Sequence, residues 1–460
     1  MNYTNTLLTW LREWYVWVAM LIIVSAIGIK IHNNMLPEAS AIPGAVMPTP
    51  NARDTFNAAE TLAKDSDKIG YAIEKPRTGP APEGENVNDY KSAWHVFSLA
   101  DKEQLVDENK PALDQLHQGL SEQYMNPPAR SFEALFPYFA KDRGMARLLS
   151  LESQVDSAKQ DWDGAATSGI DSIQLGSQIQ HGSPMIGMLV GVACESIGRK
   201  AISNQGVLNH LSADEAKFDA LRLAQITENE NPYSQALQED AWCGEAGLLQ
   251  IFHTEDWRKE LGSLGGQPAW NSSLVDLLRT NLTLSLVSPR DSYNRYKTYM
   301  DSIVAYSKLP WPAQLSTPEP KVPTSDPICA VLCPVFSQAD FKYCANLTLD
   351  RLMETQFALR AYDLDHHGYP SSLDQLVPEY LPSVPLDPFS NNSTLNYHLN
   401  GNSYLLYSIG QDATDNRGTP IDNTAFFTAS EPYELKNQDR ISDPNMDINA
   451  KGDIVAGVNE

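Results

Sequence analysis

The longest apolar stretch of the chain lies near the N-terminus, from Trp14 to Ile29, with small interruptions at Ser25 and Gly28. A helix over this stretch would extend roughly 25 Å, which matches the hydrocarbon core of a bilayer. Aromatic residues crowd its first part, as they do where a membrane meets water; they are Trp10, Trp14, Tyr15 and Trp17. The pattern predicts a short tail at 1–12 and a transmembrane anchor at 13–31. Cleavage of the anchor stays open, because Ala39-Ser40-Ala41 resembles a signal-peptidase site.

Between residues 90 and 307, apolar residues recur at the spacing of amphipathic helices. One such stripe consists of Ile186, Leu189, Val190, Ala193, Ile197 and Ala201. The stretch from Ser212 to Glu215 has the form of a capping box, which marks a helix start. The pattern predicts antiparallel helical hairpins, and the segment 158–170 resembles those of tetratricopeptide proteins. One irregular helical domain and a true repeat array are both compatible with it.

Two proline-rich stretches separate the predicted domains. Residues 32–89 lack helical periodicity, apart from a short helix expected between Phe56 and Ile73. Residues 308–327 contain six prolines, which is typical of a stiff connector. We therefore place a linker at 32–89, a helical body at 90–307 and a connector at 308–327.

The hydrophobic pattern changes in the last part of the chain. Leu349, Leu352 and Leu359 mark an amphipathic helix, which we expect to end near His367-Gly368 because glycine often terminates helices. Apolar and aromatic runs flank Asn400-Gly401, the strongest short signal for a β-hairpin. Residues 328–460 are therefore predicted to form an α+β domain with an acidic tail. The predicted fold class is multidomain: a transmembrane helix, an all-α body of helical hairpins and a C-terminal α+β domain.

The overall composition excludes one class of partner. The chain has 460 residues, of which 42% are hydrophobic, enough for two or three domains with real cores. Its net charge of -24 repels nucleic-acid phosphates. We therefore expect protein partners and a membrane contact through the N-terminal helix, and no nucleic acid.

The sequence shows no catalytic signature. A P-loop, a Gly-x-Gly-x-x-Gly motif, His-Glu-x-x-His and Gly-x-Ser-x-Gly are all missing. Glu239, Asp240 and Glu245 could act as paired acids and bases, but a solvated helix face is the favoured interpretation in so acidic a chain. The cysteines are odd in number and lie in apolar surroundings, which favours buried packing or a single bridge over zinc; they are Cys194, Cys243, Cys329, Cys333 and Cys344.

The C-terminal part resembles a known family. Its motifs in order are Gly368-Tyr369-Pro370, Leu373, Leu376, Asp387-Pro388, Tyr397, Tyr404, Ser408, Gly410 and Asp412. With them, residues 345–455 resemble the C-terminal globular domain of the major pseudopilin of type II secretion systems. Together with the helical body, this part also resembles a class of membrane-anchored bacterial proteins without an assigned activity. The short N-terminal tail and the large acidic remainder favour a single pass through the bacterial inner membrane, with an extracytoplasmic body. The N-terminus lacks the prepilin signal, so we do not expect assembly into a pseudopilus.

The same resemblance implies a calcium site in the loop after Ser408. In the family this loop binds calcium and closes on a later Asp-Ile pair, here Asp453-Ile454, although Ala413 stands where the family has glycine. Calcium also prefers about six to eight oxygen ligands, and aspartate and asparagine oxygens are concentrated in this loop. We predict a calcium ion held by Asp412, Asp415, Asn416, Asp453 and Ser408. The alternative is a polar turn, because Asp and Asn side chains bond nearby backbone amides.

These observations favour a non-enzymatic, membrane-anchored scaffold or interaction protein outside the cytoplasm, linked to secretion or envelope assembly. One alternative is an envelope hydrolase with its site in the helical body. Another is a calcium-dependent adhesion or binding module. A deep polar cavity with converging carboxylates or histidines would favour the enzyme.

Overall fold

The protein is mostly helical, with one small antiparallel sheet. A computed structural model describes residues 18, 20–25, 28, 35–38, 42–134, 136–264, 287–333, 337–421 and 448–457. The helices named here are α1 (Ala52–Leu62), α2 (Ser66–Ile73), α3 (Leu99–Leu120), α4 (Tyr138–Ala158), α5 (Trp162–Gln180), α6 (Met185–Gln205), α7 (Ala213–Glu228), α8 (Tyr233–Phe252), α9 (Trp257–Leu264), α10 (Pro289–Ser307), α11 (Trp311–Ser316), α12 (Pro327–Leu332) and α13 (Ser337–His366). The strands are β1 (Asn396–Asn400), β2 (Ser403–Ser408) and β3 (Ile454–Val455).

The predicted transmembrane anchor is not supported. Crossing a bilayer takes about 20 consecutive, mainly apolar residues in one helix. No helix in the described part of the chain is long and apolar enough for this. Of the predicted span at 13–31, only residues 18, 20–25 and 28 are described, and the others lie outside the described residues. The predicted fold class is therefore wrong in its N-terminal transmembrane helix.

Local sequence signals fix several helix ends. The capping box predicted at Ser212 is present: Ser212 Oγ accepts a hydrogen bond from the Glu215 amide at 3.4 Å, and Glu215 Oε2 accepts one from the Ser212 amide at 2.8 Å. These bonds satisfy amides at the start of α7 that have no partner within the helix. At the other end of the preceding helix, Gly206 ends α6 with a left-handed φ of 64°.

Helices α5 and α6 pack with their backbones in close approach. A Cβ atom added at Gly176 of α5 would lie 2.5 Å from the carbonyl oxygen of Gly191 on α6. Such a distance leaves no room for a side chain, so the two glycines are required for the observed separation of the helices. Helix α4 packs against both of these helices and also against α2 and α3. The helices of the body are therefore held in a fixed relation around α4.

Helix α13 joins the C-terminal sheet to the helical body. One hydrophobic core includes Leu223 of α7, Leu352 and Phe357 of α13, and Leu406 of the sheet. The helix ends at His366, and His367 takes the left-handed conformation with a φ of 54°, not the expected Gly368. The body and the C-terminal elements therefore share a continuous apolar interior.

The predicted hairpin at Asn400-Gly401 is present. Strands β1 and β2 are antiparallel, with Asn400 opposite Ser403, and β3 adds on the far side of β2. Gly401 adopts a φ of 63°, which the tight two-residue turn requires. The order β1-β2-β3 therefore brings Ile454 beside Ser408, with residue 453 next to the end of β2.

The proline-rich connector is not extended throughout. Its first part forms α11, whose Trp311 is buried and packs edge-on against Phe389 at 5.2 Å between ring centroids. The indole Nε1 of Trp311 donates a hydrogen bond to the carbonyl oxygen of Gln411 at 2.9 Å. The connector is thus fixed to the loop that follows β2.

Candidate functional site

The loop after β2 is held by hydrogen bonds to Asp453, the residue on which the resemblance predicts that it closes. Asp453 is fully buried, and its Oδ1 accepts a hydrogen bond from the Asn416 amide at 3.1 Å. Its Oδ2 accepts one from the Gly418 amide at 2.6 Å. Burial raises the pKa of Asp453, and the nearby Asp415 and Asp412 carboxylates raise it further. The Asp453 carboxylate therefore attaches the loop after β2 to the chain directly before β3.

Two acids of the loop, the half-buried Asp412 and the exposed Asp415, bond to their own turn. Asp412 Oδ1 accepts a hydrogen bond from the Thr414 amide at 3.0 Å. Asp415 Oδ1 accepts one from the Arg417 amide at 2.7 Å and one from the Tyr407 hydroxyl at 3.1 Å. These are the bonds from side chain to backbone that aspartate makes in turns. Ala413, between them, has a left-handed φ of 51°, a conformation that favours glycine.

Ser408 faces a different acid. Its hydroxyl donates a hydrogen bond to Asp387 Oδ1 at 2.6 Å, and the Ile409 amide donates to Asp387 Oδ2 at 2.9 Å. Asp387 also accepts a bond from the Phe389 amide at 3.0 Å, and it is 2% exposed. The structure thus groups Asp412, Asp415, Asn416 and Asp453 in one loop and places Ser408 with Asp387, which the sequence did not single out as a site residue.

Calcium binding at this loop stays a prediction. Within the described residues there is no group of three or more His, Cys, Asp or Glu side chains that could hold a metal ion. Both oxygens of the buried Asp453 already accept hydrogen bonds from amides. Asp412, Asp415 and Asp453 are the residues that would supply carboxylate oxygens, and the hydrogen bonds they now make account for the shape of the loop.

A large cavity, open to solvent along the segment 74–77, lies in the helical body. Its volume is about 1080 Å³, and it is bounded by α2, α3, α4, α6 and the segment 74–94. Six side chains that line it are cationic and three are acidic. The cationic ones are Lys75, Arg77, Lys91, Lys102, Arg147 and Lys200. Because the whole chain has 34 Lys and Arg against 58 Asp and Glu, the charge balance of this cavity is opposite to that of the protein.

Hydrogen bonds between elements position the floor of the cavity. Lys102, in the first turn of α3, donates a bond from Nζ to Gln154 Oε1 of α4 at 2.7 Å. Gln154 in turn donates from Nε2 to the carbonyl oxygen of Ile73, the last residue of α2, at 3.2 Å. Ser98 and Asp101 form a capping box at the start of α3, so the backbone that carries Lys102 is fixed. Gln154 of α4 therefore links Lys102 of α3 to the end of α2.

The segment 74–94 forms the outer wall of the cavity. The Arg77 amide donates a hydrogen bond to the carbonyl oxygen of Ala93 at 2.7 Å, which brings the two ends of the segment together. The Arg77 guanidinium lies over the Trp94 ring, 5.3 Å from its centroid, in a cation–π contact. Lys75 Nζ donates a bond to Asn204 Oδ1 of α6 at 3.3 Å. The wall is thus attached to the body at both of its ends.

One set of titratable groups, assigned no function from the sequence, forms a partly buried cross-link. His117 of α3 contacts Asp171 of α5 at 2.5 Å and Glu152 of α4 at 3.2 Å. Hydrogen bonds to Asp171 and then to Glu152 raise the pKa of His117 to about 10, so the ring is protonated at neutral pH. A histidine held in that state cannot accept a proton as a general base.

The expectation that Glu239, Asp240 and Glu245 form a solvated face is wrong for Glu245. This residue is 1% exposed, and its carboxylate accepts a hydrogen bond from the Tyr293 hydroxyl at 3.0 Å. Asp240 Oδ2 accepts a bond from the Met185 amide at 2.9 Å, and Glu239 pairs with Arg130 at 2.8 Å. Asp240 and Glu245 therefore connect helices, and Glu239 connects α8 to the segment between α3 and α4. The five cysteines are free thiols, as packing cysteines would be.

Comparisons with known proteins add no relative. No protein-family model, curated protein or solved structure matches this chain. The resemblance of residues 345–455 to the pseudopilin domain therefore stays a prediction drawn from the sequence.

Proposed function

We propose that this chain is a non-enzymatic binding protein whose helical body takes a small-molecule ligand into the cavity between α2, α3, α4 and α6. The observation that carries this proposal is the cavity itself. Its volume of about 1080 Å³ is slightly above the range of roughly 300–1,000 Å³ found for small-molecule sites. The function is a more specific form of the interaction protein expected from the sequence.

The lining of the cavity favours binding over hydrolysis. Among the described residues that line it, none is a histidine, and cationic side chains outnumber acidic ones two to one. A hydrolase would be supported by converging carboxylates or by a histidine near neutral pKa. His117, the histidine with the strongest shift, lies outside the lining and is held protonated by two carboxylates.

Gly70 offers a direct test, because it lines the cavity from α2. A Cβ atom added at Gly70 would meet Arg147 Nη1 at 3.6 Å, an ordinary contact, so Gly70→Trp can place its ring in the cavity. Gly144 of α4 is a matched control, since an added Cβ there has no atom within 4 Å. Gly144→Trp therefore adds the same side chain to a helix outside the cavity.

The measurement is ligand-observed saturation-transfer NMR on the full chain with glucose, glutamate, citrate and glycerol 3-phosphate. We expect at least one of these probes to show transfer with the unchanged protein and with Gly144→Trp, and none with Gly70→Trp. Absence of transfer from all four probes, or equal transfer with Gly70→Trp, would contradict the proposal.

A further inference from the structure

We infer, on the basis of the ligand site proposed above, that the cavity selects a small molecule with two or more negative charges on carboxylate or phosphate groups. The first support is the charge of the lining. A cavity with an excess of three cationic side chains, in a protein of net charge -24, concentrates positive potential at one place. Low-dielectric walls focus such a field and raise the local concentration of ions of opposite charge.

The second support is the half-buried ammonium group of Lys102. Desolvation lowers the pKa of Lys102, which means that burial disfavours its charged form. Its described hydrogen-bond partner is Gln154 Oε1, a neutral amide oxygen at 2.7 Å. A partly desolvated ammonium group is stabilised more by a nearby negative charge than by a neutral acceptor. An oxyanion in the cavity would supply that charge.

The third support is the way the wall presents its cations. Arg77 is stacked on Trp94 at 5.3 Å and fixed through its amide to Ala93, so its guanidinium has a defined place on the lining. Lys75 is bonded to Asn204, which lines the same cavity from α6. Cations held in place before the ligand arrives lose little freedom on binding, and this preorganisation increases affinity. Together, α3 and the wall offer positive charge from separate sides.

The size and polarity of the cavity point to a small polar molecule. The side chains that line it are mostly charged or amide-bearing, and the apolar ones include Ile73 and Ile197. Charged and amide groups of this kind favour a polar ligand over a purely apolar one. Carboxylate and phosphate oxygens bond to ammonium and guanidinium groups with short, charge-assisted hydrogen bonds. The shared feature of the ligand is therefore the oxyanion, whichever of the two groups carries it.

The test is isothermal titration calorimetry of the full chain with citrate, with glycerol 3-phosphate and with glucose as an uncharged probe. At low ionic strength we expect at least one anion to bind and glucose not to bind. Binding of citrate alone identifies a carboxylate ligand, and binding of glycerol 3-phosphate alone identifies a phosphate ligand. The affinity should fall as salt is added, because salt screens the charges on the lining.

Lys102→Met is the key variant, since it keeps the aliphatic stem and removes the charge. We expect it to weaken anion binding by about tenfold or more, as loss of a desolvated charge partner does. Lys110→Met is the control, because Lys110 lies on the same helix but is exposed, with 72% of its side chain accessible. Lys75→Gln gives a second, independent loss of affinity if Lys102→Met does not fold.

Three results would overturn the inference. They are binding of neither anion, equal anion affinity in Lys102→Met and the unchanged protein, and binding of glucose in preference to both anions. The last result would leave the proposed ligand site in place and remove only the anionic class. If saturation transfer is lost in Gly70→Trp but is unaffected in Lys102→Met and Lys75→Gln, the proposed ligand site likewise stands and only the anionic class is removed.

Discussion

Arg199 of α6 donates a hydrogen bond from Nη1 to Asp350 Oδ1 of α13 at 2.6 Å, and both side chains are buried. Arg199 also donates from Nη2 to Asn346 Oδ1 at 2.7 Å. Glu195, one turn before Arg199 on α6, bonds to the same Asn346 amide. Burial raises the pKa of Glu195 and of Asp350, and the Arg199 charge opposes that rise in both. One guanidinium thus stabilises two buried acids between the body and α13.

The first prediction concerns this contact. Arg199→Met would leave Asp350 and Glu195 without their buried cation, and we expect a loss of about 3–5 kcal/mol in the free energy of unfolding. Urea denaturation measures the change. Lys110→Met removes an exposed pair with Asp114 at 3.5 Å and should cost no more than about 1 kcal/mol. Equal losses in the two variants would show that Arg199 does not stabilise the buried acids.

The second prediction is a pH dependence centred on Glu354. Burial raises the pKa of Glu354 from 4.5 to about 7, while the Thr227 hydroxyl donates to Oε2 at 2.6 Å. A carboxyl with a higher pKa in the folded state contributes stability that is fully present below pH 4.5 and is lost as pH rises through about 7. The total change is on the order of 3 kcal/mol.

Glu354→Gln keeps the size of the side chain and removes its titration. We expect the stability of this variant, measured by urea denaturation from about pH 5 to about pH 8, to fall less than that of the unchanged protein. The exposed Glu379, which pairs with Lys217 at 2.9 Å, supplies the control variant Glu379→Gln. Parallel pH curves for the unchanged protein and Glu354→Gln would contradict the prediction.

The third prediction tests the close approach of α5 and α6. Gly176→Ala puts a methyl group 2.5 Å from the Gly191 carbonyl oxygen, so the helices must move apart. We expect a loss of about 1–3 kcal/mol in the free energy of unfolding, as overpacking produces. Gly144→Ala, in open space on α4, should instead leave stability unchanged or raise it by about 0.5–1 kcal/mol. A stability loss of the same size in both variants would refute the packing explanation.

The fourth prediction concerns the loop that Asp453 closes. Asp453→Asn replaces one acceptor oxygen by a donor that faces the Asn416 or Gly418 amide, and we expect a loss of about 1–3 kcal/mol. Hydrogen exchange of those two amides should accelerate, since they lose their acceptor. Asp374→Asn, at an exposed position, should change neither quantity.

The same variant tests the calcium prediction. If calcium raises the melting temperature of the unchanged protein, and Asp453→Asn abolishes the rise, Asp453 is an ion ligand as well as the acceptor of hydrogen bonds from the loop. If neither calcium nor a chelator moves the transition, the loop is held by its hydrogen bonds alone and the ion site is excluded.

Short-range features of this fold are readable from the sequence. The box at Ser212 and the turn at Asn400-Gly401 each depend on residues within four positions of one another, so their chemistry is visible in a few letters. The end of α13 was predicted to within one residue, because its signal is also local. The signal identified the right turn, but His367 adopts the left-handed conformation one residue before the expected glycine.

The cavity could not be found in the same way. Lys102 and Gln154 are 52 positions apart, and Lys75 and Asn204 are 129 apart. Each of these residues is an ordinary surface type when read alone, and only the packing of α2, α3, α4 and α6 brings them together. The solvated position predicted for Glu245 is wrong for a related reason, because its hydrogen-bond partner Tyr293 is 48 residues away. Burial of a polar side chain depends on partners that a local pattern does not contain.

The shared core of α7 and α13 has a consequence during synthesis of the chain. Helix α7 ends at Glu228 and α13 begins at Ser337, and a ribosome adds about 5–20 residues per second. The apolar side of α7 is therefore exposed for several seconds before its partner emerges. In that interval the nascent chain presents the surface that chaperones recognise, and this surface is covered only after α13 has been synthesised.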